Sequence, residues 1–65
     1  MLLEIKRKIY RLLCDINQTY EISYGVTVFL DNETDAKEML DWLEKNKDKN
    51  LMQDEILEKL DMITM

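Results

Sequence analysis

Sixty-five residues leave room for one core, and a lone Cys14 with no histidine anywhere excludes an internal disulfide and a Cys/His zinc site. The net charge of −5 is unevenly placed: residues 1–18 hold four cations and two anions, residues 19–65 five and twelve, so the halves carry +2 and −7. No apolar run reaches the roughly 18 residues of a membrane span, Met1-Leu2-Leu3 runs straight into charge rather than a signal core, and a single thiol suits a reducing compartment, so a cytoplasmic protein is expected.

A domain this small buries only about 60% of the surface its unfolded chain exposes, so good helix packing or self-association must supplement the core. Apolar content of 46% beside 35% charge is the balance of a folded chain. Leu2, Ile5, Ile9, Leu12 and Ile16 recur at spacings of three and four, which predicts a first amphipathic helix. Leu13 widens its stripe. Leu3, Tyr10 and Cys14 form a second apolar strip at about 100° per residue, making them the candidate self-association residues of a possible homodimer. Arg7, Lys8 and Arg11 fall on the far face, where Glu4 to Lys8 and Arg11 to Asp15 are at i,i+4 pairing distance.

From Tyr20 to Leu30 the even positions are apolar (Tyr20, Ile22, Tyr24, Val26, Val28, Leu30), the period-two pattern of a half-buried strand. A single strand of that length would outreach the domain, so a hairpin is predicted, with Gly25 at the left-handed position closing a Ser23-Tyr24-Gly25 loop. That register pairs Ile22 with Val26 and Tyr20 with Val28.

Asn32 followed by Asp35 has the form of a helix cap, and Ala36, Met39, Leu40 and Leu43 give the buried stripe of a second helix flanked by Trp42. Acids at 31, 33 and 35 suggest a calcium loop, but Ala36 and Trp42 stand where such a loop needs Gly and a bidentate Glu. Asn50 with Gln53 is a second capping pattern, opening a third helix along Met52, Ile56, Leu60 and Ile63, while Leu51, Met62 and Met65 fall off that stripe. The expected fold is α+β in the order helix, β-hairpin, helix, helix: a small two-stranded sheet covered on one face by three helices, over residues 1–65 as one domain.

Histidine-free and without a glycine-rich phosphate loop, the chain is expected to be no enzyme, with no catalytic residues, no cofactor and no metal. Cys14 has no base partner and lies inside a helix. The leading expectation is a small acidic interaction module, an adaptor or inhibitor that meets a basic surface of another protein through Glu33, Asp35, Glu38 and Asp41 with Trp42 and Phe29 as apolar anchors. Size and charge are similar to those of certain phage-encoded anti-CRISPR proteins, which present carboxylates where phosphates would lie. As an alternative, residues 24–63, with Val26-Thr27-Val28-Phe29-Leu30 ahead of two helices, resemble ribbon-helix-helix proteins in element order. That resemblance implies a dimeric DNA-binding transcriptional regulator with paired strands. However, the outward positions of this strand (Gly25, Thr27, Phe29) carry no cation, so direct nucleic-acid binding is disfavoured.

Overall fold

A computed structural model describes all 65 residues and contains only helices. In chain order these are α1 (Leu2–Asp15), α2 (Tyr20–Phe29), α3 (Glu33–Asn46), a 3-10 turn at Lys47–Lys49, and α4 (Gln53–Thr64). The α+β expectation is therefore wrong: residues 20–29, read as a hairpin, wind into one helix, and Gly25 has no positive φ. Loss of the strand also removes the element on which the ribbon-helix-helix resemblance depends.

Why the segment winds is visible in its side chains. Every second residue includes every fourth, so the alternation of Tyr20 to Leu30 contains two helical stripes: Ile22, Val26 and Leu30 on one, Tyr20, Tyr24 and Val28 on the other. Val26 and Leu30 are buried and Ile22 packs against them at the core, whereas Tyr20, Tyr24 and Val28 stay exposed. Ser23 and Thr27, both small and buried, complete the inward face. Their hydroxyls donate to backbone carbonyls one turn back, Ser23 Oγ to Thr19 O at 2.8 Å and Thr27 Oγ1 to Tyr24 O at 2.7 Å, so neither is an orphan in the interior. Thr19 caps the start by accepting from the Ile22 N–H at 3.2 Å. An isolated hairpin buries one face on a partner; a helix here fits the inner stripe between its neighbours, and packing overrides the β-branched and aromatic preference.

Helix α1 ends in a Schellman closure. Asn17 takes a positive φ of 67°, its N–H donates to Cys14 O, and the Gln18 N–H donates to Leu13 O. Asn32 caps α3 as its spacing from Asp35 predicts: the Asp35 N–H donates to Asn32 Oδ1 at 2.8 Å, and Asn32 Nδ2 donates to Asp35 Oδ2 at 3.0 Å. Asn50 does not cap α4. Instead it takes a left-handed φ of 59° after the 3-10 turn, and α4 begins at Gln53 after Met52 with no side-chain cap. Leu51, off the predicted stripe, is buried and pins the α3–α4 connection to the core, while Met62 and Met65 are exposed.

The helices form a ring in which α1 packs on α2 and α3, and α4 packs on the same two, so α1 and α4 occupy opposite corners. Between them lie Ile5, Ile9 and Leu13 from α1, Val26 and Leu30 from the α2 segment, Ala36, Met39 and Leu43 from α3, and Ile56 and Leu60 from α4. On α1 the predicted stripe holds, but Leu13 is its deepest member together with Ile9, and Leu2, Leu12 and Ile16 are only partly covered. A radius of gyration of 10.3 Å is close to the roughly 11 Å of a compact chain of this length, consistent with one packed unit. No helix is long and apolar enough to cross a membrane.

Candidate interaction surface

The outer faces of α1 and α2 meet along a shallow groove of about 630 Å³. It is lined by Leu3, Arg7, Tyr10, Arg11 and Cys14 from α1 and by Tyr24, Thr27 and Val28 from α2. Leu3, Tyr24 and Val28 are each more than half exposed. The three residues expected to mediate self-association, Leu3, Tyr10 and Cys14, thus lie together, beside the exposed Tyr24 and Val28 of α2. Their meeting was legible from α1 alone; the α2 contribution was not, because a strand would have pointed Tyr20, Tyr24 and Val28 towards covering helices.

Aromatic side chains stiffen this face. Tyr20 stacks on Tyr24 with ring centroids 5.9 Å apart and meets the edge of Tyr10 at 6.1 Å. Desolvation, with the neighbouring Cys14 thiol second, holds the Tyr10 phenol above its ordinary range. Cys14 Sγ is 3.7 Å from Ser23 Oγ, and the residue is exposed. No group of three or more His, Cys, Asp or Glu side chains is arranged to hold a metal ion.

Electrostatically the groove carries a net positive charge on an acidic protein. Lys6, Arg7 and Arg11 line it together with one anion, Asp15, and none of the four is in an ion pair. The expected pairs Glu4–Lys8 and Arg11–Asp15 do not form either; the ion pairs present are Met1 α-ammonium–Glu33, Lys37–Glu33 and Lys45–Asp41. Glu21, on the exposed stripe three residues before Tyr24 and seven before Val28, is likewise unpaired.

Residues expected to meet a basic partner are spread differently. Glu33 is engaged by the Met1 ammonium at 3.2 Å and by Lys37 at 3.7 Å, which holds its carboxyl below the usual range, chiefly through the hydrogen bond from the ammonium. Asp35 is tied up in the α3 cap, and Asp41 is paired with Lys45 at 2.9 Å. Of that set only Glu38 is exposed and free of a partner. Trp42 is partly buried against the core, whereas Phe29 is 66% exposed at the end of α2 and is not part of the groove. Further carboxylates without a cation in pairing distance lie on α4, where Asp54, Glu58 and Asp61 share the outer face. Comparison with family models, curated proteins and solved structures gives no match.

Proposed function

We propose that this chain is a non-enzymatic protein-interaction module whose contact surface is the α1/α2 face. One observation carries the reading: on a chain with a thin core, Leu3, Tyr20, Tyr24 and Val28 converge on a single face and remain largely exposed. Burial of such side chains is worth about 25 cal/mol per Å2 of apolar surface, and aromatic residues in preset stacks lose little freedom on binding, so this face has the makings of an interface anchor. A photo-reactive side chain at Val28 in cells tests it. A discrete protein adduct is expected, and its absence would overturn the proposal.

A second reading concerns the acidic side. Long-range attraction of a basic protein, as an adaptor or inhibitor would use, is supported by the unpaired carboxylates of α4 and by Glu38 rather than by the whole α3 row. Reversal of Asp54, Glu58 and Asp61 to Lys would slow such an association and remove its salt dependence. An adduct formed from a photo-reactive side chain at the exposed Met62 that survives this reversal unchanged would argue against it.

A further inference from the structure

We propose that the α1/α2 face is covered by a second copy of the chain, in a two-fold arrangement that sets α1 of each protomer against α2 of the other. This rests on the reading of that face as an interaction surface and adds its occupant. Charge selects the arrangement. A two-fold contact of α1 on α1 centred between Arg7 and Arg11, the middle of the groove's α1 side, would bring those cations of both copies together, a like-charge encounter that opposes pairing. Crossing α1 onto the partner's α2 instead sets Arg7 and Arg11 towards the Tyr24 and Val28 side, where the exposed and unpaired Glu21 follows Tyr20 just outside the groove. Each copy then supplies both halves of the complement, as a self-complementary interface must. In the same movement Leu3, Tyr10 and Tyr24 of both chains leave water.

Size sets the expected strength. At 1.5 Å per residue, α1 and α2 are about 21 and 15 Å long, so the face they present buries on the order of 500 Å2 per copy, below the roughly 800 Å2 of a standard interface. The dimer is therefore a weak, concentration-dependent one, with a dissociation constant on the order of micromolar or weaker.

Sedimentation velocity across about 1 to 300 µM, with helicity followed by circular dichroism, tests this. Wild type should pass from monomer to dimer over that range. The pair Arg7→Glu and Arg11→Glu in one chain, and Glu21→Lys in another, should each weaken the dimer about tenfold or more while remaining helical. Mixed together, these two variants should recover a heterodimer of wild-type strength, because both crossing contacts are again of opposite sign. A mixture that stays as weak as its components would overturn the crossed arrangement, and a wild type monomeric at 300 µM would overturn the dimer. If the wild type is monomeric and the Val28 photo-adduct is to a different protein, the second copy is excluded while the interaction reading stands. If no adduct forms at all, both fall.

Discussion

Replacing Gly25 by alanine should stabilise the protein. Glycine in a helix interior is about 0.5–1 kcal/mol less favourable than alanine, because more backbone freedom is lost on folding. At Gly25 nothing offsets that cost: its φ is not positive, it is the sixth of ten residues in α2, and a methyl group built there meets no atom within 4 Å. The expected gain is therefore close to the full propensity difference, about 0.8 kcal/mol. For a domain of this size a change of 1 kcal/mol moves Tm by roughly 4–8 °C, so Gly25→Ala should raise it by about 3–6 °C. Thermal melting followed at 222 nm at low micromolar concentration reads this directly. A fall in Tm would refute the helical assignment of residues 20–29, since a hairpin with Gly25 in the left-handed region would be strained by any Cβ.

Thr19→Ala removes the side-chain acceptor at the start of α2 and should cost about 1 kcal/mol in urea unfolding, while Thr19→Asp or Thr19→Asn should preserve most of it. Leu43 is fully buried in the core, and Leu43→Ala should cost about 2–5 kcal/mol; in so small a domain that is enough to leave a large unfolded fraction at 25 °C, visible as lost ellipticity. Because the folded-state carboxyl of Glu33 lies below its unfolded value, its contribution to stability is present above the unfolded value near pH 4.3 and is lost as pH falls through the folded one; a carboxyl-carbon titration should show Glu33 ionising below the ordinary glutamate range, and Glu33→Gln should flatten this part of the acid limb.

How far the residues disclose this fold differs along the chain. The helices α1, α3 and α4 are legible because spacings of three (Leu2 to Ile5, Ile9 to Leu12, Ala36 to Met39, Leu60 to Ile63) alternate with spacings of four, and a step of three would change face on a strand. Helix α2 is not, because apolar residues at both Ile22/Val26/Leu30 and Tyr20/Tyr24/Val28 merge two helical stripes into one alternation, and the deciding factor is the burial of Ser23 and Thr27, which is a tertiary fact. A clue lay in Thr19, a good capping residue directly before the run. Asn50 misleads for a related reason: asparagine suits both a helix start and a left-handed closure, and only the 3-10 turn before it decides. Of the candidate surface, the α1 half could be read on a wheel, whereas the neutralisation of Glu33 and Asp41 by Lys37 and Lys45 required the rotamers.

Placing α1 and α4 at diagonal corners separates two chemistries by the width of the bundle, about 21 Å in its narrower directions. None of Asp54, Glu58 and Asp61 lines the α1/α2 groove, so a partner confined to that groove leaves them facing water. Two protomers joined back to back would then display a carboxylate strip at either end, and a target with repeated basic sites would be gripped twice, gaining avidity without a single new contact in either strip.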